Sequence, residues 1–308
     1  MRNLLARSIA TVLCLFAFLA APALAYDQPS VNLGLTSFLD GGPPAGPGLY
    51  FQEYLQYYTA SHVKDAPFPA TDPEINVWVS LNQLVYQSDQ DLFFGGKWGM
   101  NMILPVVQID SDIPAAPDNG TGFGDLVVGP FLQWDPIMGD NGPIFMHRIE
   151  LAFILPTGKY APNRALNPGS NFVSFNPYWA ATYFFSPKLT ASTRVHYLWN
   201  AKNTDPNTPG ALHDTQAGQA FHANFAVNYE VIPKKLRLGL NGYALKQITA
   251  SKVDGNKVAG KEQVFAIGPG ALFSFSQDTH LFFNAYFESG AEYRPEGERY
   301  VLRLVHHF

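Results

Sequence analysis

The chain has 308 residues, a net charge of −5 and a single cysteine, so a basic nucleic-acid-binding face and a disulfide framework are both excluded. Only 15% of its residues are charged, against about 25% in soluble domains, while 14% are aromatic. A water-facing surface for a domain of this size needs more charge than that.

The N-terminus opens with Arg2 and Arg7, continues through an apolar run at 9–20, and closes on Pro22-Ala23-Leu24-Ala25. A basic start, a short apolar stretch and an A-x-A ending read as a secretory signal peptide cleaved after Ala25. The run is shorter than the roughly 20 residues that a spanning helix requires. Cys14 lies inside this leader behind Leu13, where a lipoprotein site would need a small residue. Cleavage removes two arginines and no acid, which leaves 18 Lys+Arg against 25 Asp+Glu, a net of −7. Residues 26–48, which include Gly41-Gly42-Pro43-Pro44-Ala45-Gly46-Pro47-Gly48, read as a periplasmic N-terminal arm or partial plug.

From residue 49 onward the pattern alternates with period two. In 221–231, Phe221, Ala223, Phe225, Val227, Tyr229 and Val231 fall on one face, with His222, Asn224, Asn228 and Glu230 on the other. The same rule predicts strands over 49–61, 74–86, 95–108, 122–134, 144–155, 172–185, 189–200, 219–231, 235–249, 262–276, 279–289 and 299–308. About twelve strands, many of them long enough to cross a tilted bilayer span, predict an all-β, transmembrane, antiparallel up-and-down β-barrel. The links sort into two kinds. Those at 186–188, 232–234 and 277–278 are short, and those at 87–94 and 135–143 somewhat longer. Between them fall polar loops at 62–73, 109–121, 156–171, 201–218, 250–261 and 290–298. Short periplasmic turns facing long extracellular loops are the sorting expected of an outer-membrane barrel, with both termini in the periplasm. The chain stops at Phe308 on an amphipathic strand, which is similar to the sorting signal read by the barrel assembly machinery; His306 on the same face departs from that pattern.

Apolar faces against lipid put the opposite faces in the lumen, because an arginine on the lipid side near mid-membrane costs about 2–4 kcal/mol. The lumen-lining candidates are Arg148, Glu150, Arg194, His196, His222, Asn224, Asn228, Glu230, Arg237, Asn241, Asn284, Glu288 and Arg303, together with the inward-pointing Tyr178, Tyr243 and Tyr286. Two readings of these charges stand side by side: a constriction that selects solutes, and paired charges that stiffen a partly filled barrel. Tyr50, Phe51, Tyr54, Tyr57, Tyr58, Trp78, Trp98, Trp134, Trp179, Tyr183 and Trp199 are expected mostly in aromatic girdles. No phosphate loop, zinc spacing or Ser–His constellation is apparent, so neither cofactor, metal site nor catalytic residue is expected. His306-His307 is not a metal pair, since adjacent strand residues face opposite ways.

Several short pieces occur in one order along the chain: Gly122-Phe123-Gly124-Asp125-Leu126 with Gly129-Pro130, Leu155-Pro156-Thr157-Gly158-Lys159-Tyr160, and Asn176-Pro177-Tyr178-Trp179. Gly239-Leu240-Asn241-Gly242-Tyr243 with Gln247, and Ala266-Ile267-Gly268-Pro269-Gly270, complete the series. Together they resemble the MetA-pathway of phenol degradation family of outer-membrane proteins. The resemblance implies a transporter-like barrel, distantly akin to barrels that admit hydrophobic substrates, in a family whose genes often accompany aromatic catabolism. It brings no catalytic residues. Physically the pieces read as strand ends and bends; Leu155-Pro156-Thr157-Gly158 fits a strand leaving the membrane, and Gly268-Pro269-Gly270 a bulge or inward bend. The expected function is a passive channel for small hydrophobic or aromatic solutes, in contact with outer-membrane lipid. A closed structural or surface-interaction barrel is the alternative, and a barrel hydrolase a third possibility without sequence support.

Overall fold

The computed structural model describes residues 28–43, 45–65, 74–112, 120–164, 166–208 and 211–308. The signal-peptide reading of 1–25 therefore lies outside the described residues. The wall begins with β1 (Gly48–Val63), β2 (Ile75–Phe93) and β3 (Gly96–Ser111). Its fourth stave comprises β4 (Gly120–Phe123) and β5 (Leu126–Trp134); the short β6 (Ile137–Gly139) then turns back on β7 (Gly142–Glu150), which β8 (Phe153–Leu155) extends as the fifth. The sixth stave is β9 (Ser174–Phe175) with β10 (Tyr178–Phe184), and β11 (Leu189–Asn200) is the seventh. After β12 (Thr215–Gln216) come β13 (Ala220–Ile232) and β14 (Leu236–Gln247). The small strands β15 (Lys252–Val253) and β16 (Asn256–Lys257) join β12 in a separate outer sheet, and β17 (Gln263–Ser274), β18 (Thr279–Glu292) and β19 (Pro295–His307) complete twelve staves. All pairings are antiparallel, and β19 returns to β1 with Leu302 opposite Leu55 and His307 opposite Tyr50, closing the cylinder. No helix occurs among the described residues.

The period-two pattern becomes an inverted core. On β13 Phe221, Val227 and Tyr229 are exposed, whereas His222, Asn224 and Asn228 on the opposite face are buried. On β14 Leu238 and Leu240 are exposed, and Asn241 and Tyr243 are fully buried. Leu84, Met100, Met102, Phe283 and Leu302 continue the outer apolar surface around the wall. A soluble protein buries the first set and exposes the second; only a solvent of lipid makes this arrangement favourable. One patch breaks the rule. Glu53 and Ser80 share the outer face with Leu55 and Trp78, where the Ser80 hydroxyl donates to the Glu53 carboxylate at 2.7 Å and Asn82 Nδ2 donates to Ser80 Oγ at 3.3 Å.

Three expectations change. The link at 290–298 is not a long loop: β18 runs on to Glu292 and β19 starts at Pro295, each held by its other neighbour past the last β18–β19 pair at Phe287–Glu298, and the chain turns through Tyr293 and Arg294, with Tyr293 at φ 52°. Gly290, Pro295 and Gly297 read as loop residues, yet Pro295 begins a strand, where a missing N–H costs no ladder bond. The link at 87–94 is likewise mostly strand, since β2 runs on to Phe93 with register shifts after Gln87 that absorb its polar stretch. Finally, Gly268-Pro269-Gly270 makes no bulge: β17 keeps one register against β18 from Ile267–Phe287 to Gly270–Asn284. Its glycine matters by what it makes room for, because a side chain on Gly270 would strike Asn241 inside the barrel.

The resemblance-bearing pieces at 122–126 and 155–160 form one knot at the end of the barrel that carries the long loops. The fourth stave breaks there, at Gly124-Asp125; farther along the wall the fifth and sixth break side by side at Leu151-Ala152 and Asn176-Pro177, where the Asn176 amide donates to the Ala152 carbonyl at 2.8 Å. Asp125 accepts the Gly158 amide at 2.9 Å and the Ser170 amide at 2.7 Å, and Thr157 Oγ1 accepts the Leu126 amide at 3.0 Å. A Cβ on Gly158 would lie 2.7 Å from the Gly124 carbonyl carbon, so the two backbones approach this closely only with glycine at 158.

Candidate functional site

The barrel interior holds a length of the chain itself. Gln28 donates to the Gly218 carbonyl at 2.8 Å and accepts from Asn200 at 3.0 Å, at the end of the barrel that carries the long loops. Asn224 Nδ2 donates to the Asn32 carbonyl at 3.1 Å, and the Gly34 amide donates to Asn224 Oδ1 at 2.6 Å. Lower down, Gly41 donates to Thr182 Oγ1 at 2.8 Å. The segment leaves at the short-turn end, where Gly48 starts β1 beside His307. Leu33 and Phe38 seat in two separate apolar clusters, the first with Tyr54, Tyr243 and Tyr286, the second with Tyr50, Leu272 and Phe282. These residues, 28–43 and 45–48, belong to the 26–48 stretch that the sequence shows only as a break in the strand pattern.

Around it the wall presents polar side chains in linked groups. Glu150 is buried at 1% exposure and accepts from Tyr178 OH at 2.6 Å and from Asn101 Nδ2 at 2.9 Å; Gln83 in turn donates to Asn101 at 2.8 Å. The Arg194 guanidinium grips Asp40 of the inner segment with two bonds, 2.7 and 2.6 Å, and lies 4.1 Å over the Tyr178 ring. His196 and His222 stack at 4.1 Å, and His222 Nε2 bonds Asn176 at 3.0 Å. Toward the long-loop end Glu288 accepts from Tyr58 at 2.8 Å, from Tyr243 at 2.7 Å and from the Gly297 amide at 2.9 Å, with Arg294 at 3.9 Å. Toward the short-turn end Asn228 accepts from Arg237 at 3.1 Å, and Glu230 lies 3.8 Å from Arg237. Asn241, Asn284 and Tyr286 are fully buried, and each has a side-chain polar atom with no partner among the described residues.

Arg148 and Arg303 stand apart from these networks. Arg148 donates from Nε to Gln133 at 3.0 Å and lies 4.3 Å over Phe131. Arg303 stacks 3.7 Å over Phe282, and its Nε has no partner. Both line a cavity of about 310 Å³ at the short-turn end, beneath residues 36–43 of the inner segment.

Tyr50, Tyr54 and Tyr58 differ from the girdle expected of them: all three are buried in the interior, on the face of β1 that alternates with the exposed Leu49 and Leu55. Tyrosine at a strand end suits an interface girdle and a lumen equally, so only the face decides. Trp78, Trp98, Trp179, Tyr183 and Trp199 are exposed on the outside, where Tyr57 lies against Trp78 with ring centres 4.5 Å apart and the planes tilted by 34°. Sequence reasoning missed Asn101, a polar residue between Met100 and Met102 whose position in the alternation was a usable signal. It also missed Asp40, which carried none.

A family model described as "Putative MetA-pathway of phenol degradation" matches residues 59–304. No curated protein matches the chain. Among solved structures, an outer membrane channel from Pseudomonas putida F1 is similar at 18% identity, with 91% of this chain and 100% of that chain covered and a TM-score of 0.76. The β domain of the Bordetella autotransporter BrkA is similar at 12% identity over 85% of this chain and 99% of that one, with a TM-score of 0.48. The first establishes the closed barrel fold.

Proposed function

The chain belongs to the MetA-pathway of phenol degradation family, and from that premise we propose that it is an outer-membrane channel for passive uptake of small hydrophobic or aromatic compounds. The observation that carries this reading is the cavity of about 310 Å³ inside the wall, bordered by rings such as Tyr50, Tyr54 and Phe282 as well as by polar groups. A barrel built only for rigidity gains most from a filled interior with every polar atom paired. In this reading residues 1–25 are an export leader, the short turns and the C-terminus face the periplasm, and Phe308 is what the assembly machinery reads. The lumen-facing residues from Arg148 to Arg303 then form the path, with Tyr178, Tyr243 and Tyr286 offering ring surface along it.

One observation favours the second reading, a closed structural or surface-interaction barrel: residues 28–43 occupy the lumen and are tied to it at Asn224, Thr182 and Arg194. Those ties are a few hydrogen bonds and one ion pair, of the kind that exchange with water when a segment is displaced. Purified full-length protein in planar bilayers, with a deletion strain compared for uptake of a panel of phenols and alkylbenzenes, separates the two. The channel reading expects conductance and slower uptake in the deletion strain; no conductance with unchanged uptake across the panel contradicts it.

A further inference from the structure

The cavity at the short-turn end has the opposite charge to the chain that builds it. Arg148, Arg194, Lys234, Lys235, Arg237 and Arg303 line it against only two carboxylates, Asp40 and Glu230, in a protein whose net charge is −5. Both carboxylates are already engaged, Asp40 by the two-bond grip of Arg194 and Glu230 by Arg237 at 3.8 Å. Glu150, which shares a face with Arg148, has its two oxygens taken by Asn101 and Tyr178.

Arg148 and Arg303 are thus left without an acid. Arg303 is 6% exposed, and among the described residues it makes neither a hydrogen bond nor an ion pair; its contacts are the faces of Phe282 and, at 5.7 Å, Tyr54. Arg148 is 9% exposed and bonds only the neutral Gln133. Desolvating a guanidinium without an anion is costly, and a wall that keeps two of them beside an open space is prepared to receive one. The remaining lining is apolar or aromatic, including Phe38, Tyr50, Leu272 and Val305. The volume lies at the small end of the range for ligand sites.

We propose that this cavity binds small aromatic carboxylates, with the carboxylate on Arg303 and Arg148 and the ring against the aromatic wall. The planar fork of arginine matches a carboxylate in two parallel bonds, and its stacking on Phe282 holds the fork in place. The proposal rests on the channel reading for the route by which the solute arrives and narrows that reading from hydrophobic compounds in general to aromatic acids.

Isothermal titration of the full-length protein in detergent tests it, with benzoate, the neutral benzyl alcohol and inorganic phosphate as probes. Benzoate is expected to bind about tenfold or more tightly than benzyl alcohol, the worth of roughly one charge-assisted bond, and phosphate no better than benzyl alcohol. Arg303→Gln and Arg148→Gln each weaken benzoate by about tenfold and leave benzyl alcohol unchanged, while Arg303→Lys keeps part of the preference. Heat-modifiable migration on gels verifies the fold of each variant, and Arg148→Gln carries the test if Arg303→Gln does not fold. Equal binding of benzoate and benzyl alcohol, phosphate binding as tight as benzoate, or unchanged benzoate affinity in the folded glutamine variants overturns the proposal. Benzoate binding without bilayer conductance leaves the site intact and removes the channel; conductance without benzoate preference does the reverse.

Discussion

Asp125 and Glu53 illustrate how differently two carboxylates fare in the same wall. Asp125 accepts backbone amides from Gly158 and Ser170 and so ties the loop that follows β8 to the break between β4 and β5. Asp125→Ala is expected to free that loop, read as faster proteolysis within 156–171 while the barrel keeps its heat-modifiable migration. Glu53 instead sits on the outer face among Leu55, Trp78 and Leu84, with Ser80 as its hydrogen-bond donor. A carboxylate facing hydrocarbon opposes insertion, so Glu53→Leu is expected to stabilise the barrel against urea in lipid vesicles by on the order of 1 kcal/mol; an unchanged or lower midpoint contradicts the placement. Neither role was legible from alternation, which assigns a face and nothing more. The motif marked Asp125 as notable without saying what it held. Asp40 gave no signal at all, because its partner Arg194 is 154 positions away.

At the scale of elements, the sequence showed the staves clearly and their ends poorly. A strand that buries one face against lipid must alternate, and β11, β13 and β14 fall close to where the pattern put them. Beyond the membrane that constraint lapses, so the polar continuation of β2 and the hairpin between β18 and β19 looked like loops. The inner segment was legible only as an exception. Its removal is the sharpest test at this scale: deleting residues 26–47 is expected to raise single-channel conductance several-fold over the full chain, and equal conductance would mean that the segment does not limit the path. The outer sheet of β12, β15 and β16 hangs on Asp254, which accepts the amides of Leu212, His213 and Asp214 at 2.7–3.0 Å. Those bonds, with that from Leu212 first, hold its carboxyl below the usual carboxylate range. A lowered folded pKa stabilises this cap fully above the unfolded value of about 3.9 and loses it as pH falls through the still lower folded value. The amide resonances of residues 212–214 are therefore expected to stay in place through mild acid and to shift only below that range, whereas Asp254→Asn displaces them at neutral pH.

For the whole molecule, the decisive feature is a cylinder turned inside out, with leucine, methionine and phenylalanine outside and asparagine, glutamate and arginine within. Low charge content together with strict alternation pointed to it before any pairing was known, because no other all-β architecture is favoured by both. What the pattern left open was the content of the lumen, which depends on contacts across the barrel and on a segment with no periodicity. Both the path and the anion site depend on the two faces being assigned correctly. Cys14 is the chain's one cysteine, so single cysteines can report on each face in a chain lacking the leader. Spin labels placed at positions 227, 240 and 302, and at the cavity-lining positions 52, 83 and 87, in protein reconstituted into vesicles measure that assignment by their relative accessibility to oxygen and to a polar nickel chelate. The first group is expected to favour oxygen and the second the chelate; both groups favouring the same reagent would contradict the account.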